Sequence, residues 1–257
     1  MTLLAIDNLT VTYRGLKAVS GVSLALQEHR IHGLIGPNGA GKTSLLNAVC
    51  GFVPLTAGRI VMTGREIQSL PAHRIAAAGV GRTFQQAEML TDQTVLANVM
   101  TGAYAHRRSN FAQNLLGTPG KRRAERQARG DAEAMLADFD LLALKDEVAV
   151  NLPFGTQKKV DLARALMARP RILMLDEPIS GMNDVEARAV IDACRRIIKE
   201  RGVTLLVIEH NMRVIMNLAQ TIHVLHHGEM IAEGTPAEVQ VNPLVVEAYL
   251  GPSNADA

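Results

Sequence analysis

The segment Gly36-Pro37-Asn38-Gly39-Ala40-Gly41-Lys42-Thr43, followed by Ser44, restricts what this chain can fold into more than any other stretch. It fits the spacing GxxxxGK[ST]. It lies between an apolar run, Ile31-His32-Gly33-Leu34-Ile35, and a stretch of helical character from Lys42 to about Cys50. A buried strand entering a glycine-rich turn that opens a helix is the context that separates a phosphate cradle from a chance glycine cluster. The glycines let the backbone curl until its N–H groups converge on phosphate oxygens. The helix behind them adds the positive end of its dipole. Lys42 is then placed to reach the β- and γ-phosphates of a nucleotide, and the Thr43 hydroxyl to ligate Mg²⁺.

A second segment supplies the other half of such a site. Arg171-Ile172-Leu173-Met174-Leu175-Asp176-Glu177-Pro178 reads as an apolar strand ending in two carboxylates. Asp176, at the C-terminal end of the strand, would face the crevice where parallel-sheet proteins bind ligands and hold Mg²⁺ through water. Glu177, one residue on, is placed to orient or deprotonate an attacking water. Further apolar strands are predicted at Arg59–Met62, Val80–Phe84, Leu205–Ile208 and Ile222–Leu225, with a helix at Asp184–Arg201. The predicted class is therefore α/β, a P-loop NTPase core with a mainly parallel sheet. The first thirty residues alternate apolar and polar around Gly15 and Gly21 and predict a small N-terminal antiparallel β subdomain. From Thr94 to Ala149 the pattern is helical, broken by the loop-like Gly117-Thr118-Pro119-Gly120. This predicts an inserted helical subdomain over about 88–165 within a single domain, 1–251, with a flexible tail at 252–257.

Composition excludes some partners. With 47% hydrophobic and 20% charged residues, the chain has the balance of an ordinary globular protein. A net charge of +2 is too small to argue for nucleic acid. The basic run Lys121-Arg122-Arg123-Ala124-Glu125-Arg126 has no interleaved aromatics for base stacking and reads as a solvated helix face. Cys50 and Cys194 lie far apart in apolar stretches and read as buried thiols of a reduced compartment. Met1–Asp7 has no features of a signal peptide, and no run approaches the roughly 20 apolar residues of a membrane span. The expectation is a soluble, cytosolic chain unless something else holds it to a membrane. His226-His227 precedes Gly228-Glu229 at a predicted hairpin turn, with no cysteine or acidic cluster to complete a metal site.

With both motifs in hand, the chain resembles the ATP-binding-cassette (ABC) ATPases over nearly its whole length. The resemblance implies ATP and Mg²⁺ as ligands, and roles for further residues. Tyr13 stands where the family stacks an aromatic ring on adenine. Gln85 matches a glutamine that touches Mg²⁺ and the attacking water and feels the membrane partner, with Gln86 as the competing assignment. His210 matches the switch histidine near the γ-phosphate, and Ser180-Gly181-Met182-Asn183 the loop that crosses to a partner subunit. The signature Leu-Ser-Gly-Gly-Gln appears here as Leu152-Pro153-Phe154-Gly155-Thr156, followed by Gln157 and Lys158-Lys159. Gly155 still supplies a backbone N–H at the start of a helix to Met167, where a partner's γ-phosphate could bind. Pro153 cannot donate as the serine would, although it suits a helix start.

This relaxed signature is similar to that of the ATPases of branched-chain amino-acid importers. So are the helical insert after Gln85 and the C-terminal run from Ile231 to Val239, closing with Glu247-Ala248-Tyr249-Leu250-Gly251. The resemblance implies an ATP-hydrolysing subunit peripheral to the cytoplasmic face of a cell membrane. Its implied partners are membrane-spanning permease subunits, a second ABC ATPase subunit (sister or self) and, indirectly, a solute-binding protein. Amide or urea importers, lipid or lipopolysaccharide exporters and soluble ABC ATPases outside transport are the alternatives. Because Pro153 removes a hydroxyl, a sister ATPase is the expected partner.

Overall fold

Residues 1–83, 89–103 and 119–250 are described by a computed structural model, without the side chains of 119–121. Two long strands, β1 (Thr2–Tyr13) and β2 (Leu16–Gln27), open the chain as an antiparallel hairpin. Arg14 and Gly15 connect them with φ of 47° and 91°, the two positive values of a tight turn that follows the strands' own twist. β4 (Ala57–Met62) pairs with β1, and β5 (Arg65–Glu66) with β4, giving an antiparallel sheet in the order β2-β1-β4-β5.

The second sheet carries the core. β3 (Ile31–Ile35), β6 (Val80–Arg82), β7 (Ile172–Asp176), β8 (Thr204–Ile208), β9 (Thr221–His226) and β10 (Glu229–Gly234) align as β10-β9-β3-β8-β7-β6. Only the β9–β10 pairing is antiparallel. β3, β7 and β8 are buried along their whole length, so they read as continuous apolar runs rather than alternating ones. Their side chains still alternate between two cores, as a period of two requires. Leu173, Leu175, Leu205 and Val207 enter one core and Met174, Leu206 and Ile208 the other. The first core is roofed by α3 (Val95–Thr101), α4 (Pro119–Asp138), α5 (Phe154–Met167) and α6 (Asp184–Arg201). The second lies between the antiparallel sheet and α1 (Lys42–Val49), with Ile75 of α2 (Ala72–Ala77) at its margin. α7 (Met212–Leu218), α8 (Pro236–Gln240) and α9 (Pro243–Leu250) complete the described helices.

The α/β class, the antiparallel subdomain and the mainly parallel sheet agree with expectation. α6 begins and ends where the sequence predicts because its stops are local. Asn183 Oδ1 accepts the N–H groups of Val185 and Glu186, both at 3.0 Å, and Glu186 returns the bond to Asn183 N–H at 3.2 Å. Gly202 ends the helix with φ 63°. Two expectations are corrected. Pro119 and Gly120, read as part of a loop, open α4, since proline in a first helical turn forfeits no hydrogen bond. The strand expected to reach Phe84 ends at Arg82, and Phe84 itself lies outside the described residues. The expected tail, 252–257, also lies outside them.

Two histidines are built into the parallel sheet. His32 on β3 and His223 on β9 are fully buried, with stacked rings 5.5 Å apart. His32 Nε2 meets the Gln27 backbone, 2.9 Å from its nitrogen and 3.3 Å from its oxygen, and Nδ1 lies 3.3 Å from His223 Nε2. Burial first, and then His223 beside it, lower the His32 pKa from 6.5 to about 4. The unfolded chain therefore binds a proton that the folded one refuses. His32's contribution to stability is complete above pH 6.5 and is lost as the pH falls toward 4. Between pH 6.5 and about pH 5 the expected loss is about 2 kcal/mol. Urea unfolding of the wild type and of His32→Gln should show that slope in the wild type alone. Parallel pH profiles for the two proteins would refute it.

Candidate functional site

The C-terminal ends of β3, β7 and β8 open on one side of the sheet, the crevice where parallel α/β folds bind ligands. β3 runs straight into Gly36, whose φ is 150° and where a Cβ would fall 2.1 Å from the Leu225 carbonyl oxygen. Gly41 has φ 98°, and a Cβ there would lie 2.4 Å from the Ala18 oxygen. Both positions demand glycine, for space as much as for conformation. Between them Pro37, Asn38, Gly39 and Ala40 form the turn, closed by Ala40 N–H donating to the Pro37 oxygen at 3.2 Å. Gly41 caps α1 without a side chain, so no side-chain oxygen occupies the amides at the helix start.

Lys42 folds back across this loop. Its Nζ donates to the carbonyl oxygens of Gly36 (2.7 Å) and Pro37 (2.9 Å). Burial lowers its pKa, opposed by the charges of Glu177 and Asp176. Thr43 is exposed at the mouth and Ser44 half-buried. Asp176 ends β7 with its side chain only 8% exposed. Glu177 follows with φ 50°, a left-handed conformation that costs a non-glycine residue of order 1 kcal/mol or more. The bond from its N–H to the Ile208 oxygen (3.0 Å) holds it there. Glu177 Oε1 then lies 3.7 Å from Nδ1 of His210, which follows β8.

Lys42, Asp176, Glu177 and His210 thus gather around one crevice. Tyr13 ends β1 half-exposed, at the hairpin whose second strand lies against Gly41. Gly155 is the second residue of α5 and packs on Glu186, whose carboxylate would be 3.0 Å from a Cβ there. Pro153 caps that helix with no side-chain bond. Gln85 and its competitor Gln86 lie outside the described residues.

Several residues at this crevice escape sequence reasoning. Arg82 donates to Asp176 Oδ2 at 2.9 Å. Glu209 is buried before His210, its Oε1 accepting the Ile179 N–H at 3.2 Å, and burial pushes its pKa up. Lys158 of α5 stands 5.5 Å from the Phe154 ring centroid; burial lowers its pKa against the pull of Asp161, Asp176, Glu177 and Glu209. Tyr249 of α9 lies at the backbone N–H of Gly36. The β9–β10 turn, His227-Gly228, props the loop, Gly228 N–H donating to the Ala40 oxygen at 3.1 Å. A charge at the end of an apolar run was the available signal for Arg82 and Glu209.

The Asp176 carboxylate and the Thr43 hydroxyl are hard oxygen donors, the chemistry a magnesium ion takes. The buried Asp176 charge beside the phosphate loop fits such an ion. Among the described residues no helix is long and apolar enough to cross a membrane.

Comparison with known proteins agrees with this geometry. Residues 19–180 match the ABC transporter family, and 229–251 match the family described as branched-chain amino acid ATP-binding cassette transporter. The chain is 40% identical over 249 residues to the high-affinity branched-chain amino acid transport ATP-binding protein BraF of Pseudomonas aeruginosa, covering 97% of this chain and 98% of that one. Identity to the corresponding LivG protein of Escherichia coli is 36% over the same shares. The lipopolysaccharide export ATP-binding protein LptB of Haemophilus influenzae is 33% identical over 98% of both chains. Among solved structures, a nucleotide-free ATP-binding cassette from an ABC transporter superposes with a TM-score of 0.86 at 29% identity, covering 98% of this chain and 100% of the other.

Proposed function

The chain belongs to the ABC transporter family, and from that premise we propose that it is the ATP-binding, ATP-hydrolysing subunit of a branched-chain amino-acid importer. The observation that carries the cargo class is the double likeness to branched-chain amino-acid cassettes, along almost the whole chain and again at its C-terminal end. The full-length likeness to a lipopolysaccharide export cassette favours an exporter as the second reading.

The reaction is in-line attack of water on the γ-phosphate, driven by positioning and charge stabilisation. The N–H groups of Gly39, Gly41, Lys42 and Thr43 hold the β- and γ-phosphates, and Lys42 leaves its two carbonyls to neutralise them. Tyr13 stacks on the adenine. Glu177 orients the water and accepts its proton, with His210 beside it to meet the γ-phosphate oxygens. Thr43, Gln85 and Asp176 would hold Mg²⁺, which when bound supplies charge neutralisation on the phosphates. Gly155 offers its N–H to the nucleotide of a second ATPase subunit.

The permease subunits belong at a cavity of about 350 Å³ between α2, β6, α3 and α5, lined by Phe52, Ile75, Val80, Thr101, Ala165 and Pro170. Gln85 follows three residues after the end of β6 in the sequence. Docking at the cavity places the chain at the cytoplasmic face of the membrane. A sister cassette completes the pair, because Pro153 brings no hydroxyl to the partner's nucleotide and a self-pair would carry that loss at both sites. The test is purification from the native membrane, identification of the polytopic subunits and native mass spectrometry. Importer permeases with one copy each of two cassettes are expected. Exporter permeases would overturn the cargo reading, and two copies of this chain in an active complex would overturn the sister.

A further inference from the structure

We propose that Arg82 is a positioning residue for the metal-binding carboxylate, a fork that fixes Asp176 relative to the phosphate-loop helix. The proposal rests on Asp176 and Thr43 being the magnesium ligands. Arg82 is the last residue of β6, and its guanidinium reaches two elements at once. Nη2 donates to Asp176 Oδ2 at 2.9 Å, and Nη1 donates to Asn47 Oδ1 at 2.5 Å. Asn47 lies four residues after Thr43 on α1, so the two share one helix face. The planar guanidinium therefore ties together the two segments that carry the metal's oxygen donors, α1 and the end of β7. Lysine, a point charge, cannot hold two acceptors in a fixed plane.

The arrangement is costly unless it serves something. The Arg82 and Asp176 side chains are 7% and 8% exposed. A buried ion pair often contributes less to stability than apolar residues of the same volume, because both charges leave water. What this one secures is orientation: with Oδ2 engaged by Arg82, Oδ1 remains for the ion. The nearby Cys50 thiol does not compete as an anion, since burial pushes its pKa up to about 11. Arg82 also lines the cavity assigned above to the permease and stands three residues before Gln85. A group entering that cavity would meet the guanidinium that holds the magnesium carboxylate.

The test compares Arg82→Met, Arg82→Lys and Asn47→Leu with the wild type, titrating each with a fluorescent ATP analogue in EDTA and in excess Mg²⁺. The readout is the ratio of the two affinities, which reports the metal site separately from the phosphate loop. Partners of metal ligands typically contribute about 10- to 100-fold to metal affinity. Arg82→Met is therefore expected to lower the ratio about tenfold while binding in EDTA stays within about twofold. Arg82→Lys should recover part of the loss. If Arg82→Met does not fold, Asn47→Leu decides, since it loosens the fork without stranding a charge, and it should lower the ratio about threefold. An unchanged ratio in a folded variant overturns the proposal. A wild type that binds no nucleotide in either condition would instead overturn the phosphate-loop reading on which it rests.

Discussion

Lys42→Ala abolishes nucleotide binding, with an expected loss of affinity of 100-fold or more. The half-buried ammonium is the cation that the carbonyls of Gly36 and Pro37 hold inside the loop. A hydrogen bond to a charged group contributes about 1.5–3 kcal/mol, and Lys42 can offer one to each of two phosphates. Burial lowers its pKa, and the charges of Glu177 and Asp176 oppose that change. Alanine would remove the side-chain cation that offsets the phosphates' charge beside those two carboxylates. Equilibrium titration with a fluorescent ATP analogue, together with thermal unfolding to show an intact fold, checks the expectation. Affinity within a few-fold of the wild type would remove the phosphate-loop assignment.

Glu177→Gln should separate binding from chemistry. The amide is nearly isosteric and keeps the backbone bond to Ile208, so the left-handed turn at this residue persists. It cannot take the proton of the attacking water, and a general base typically contributes about 10²–10⁴-fold. Turnover by the assembled transporter is therefore expected to fall at least about 100-fold with ATP affinity retained. Steady-state hydrolysis beside equilibrium binding reads both quantities. Wild-type turnover would assign the base elsewhere, and Glu209, buried next to His210, is the first carboxylate to examine.

What was legible in the sequence was whatever a short run of chain decides on its own. The glycine spacing from Gly36 to Gly41, the paired acids at the end of β7 and the capping residues of α6 act within a few positions of one another. Even so, the reason glycine is required at Gly36 and Gly41 is not local. It is the close approach of Leu225 and Ala18 from other strands.

The rest was decided by strand order. Arg82 meets Asp176 across 94 positions of sequence, and His32 meets His223 across 191. Both meetings exist because β3 sits between β8 and β9 and because β6 joins the sheet edge beside β7. Periodicity reveals which side chains turn inward, but it does not say which neighbour each will find there. Parallel strands are joined by long crossovers, so their partners are distant in sequence, and only their packing brings the partners together. The sequence therefore determined which groups this chain carries: a glycine-rich loop with its lysine and two acids at the end of an apolar strand. The tertiary structure alone decided what pairs with Asp176, what props the loop from beneath and which histidine has its pKa lowered. Those depend on burial and on charges a few ångströms apart, which exist only once the sheet has formed.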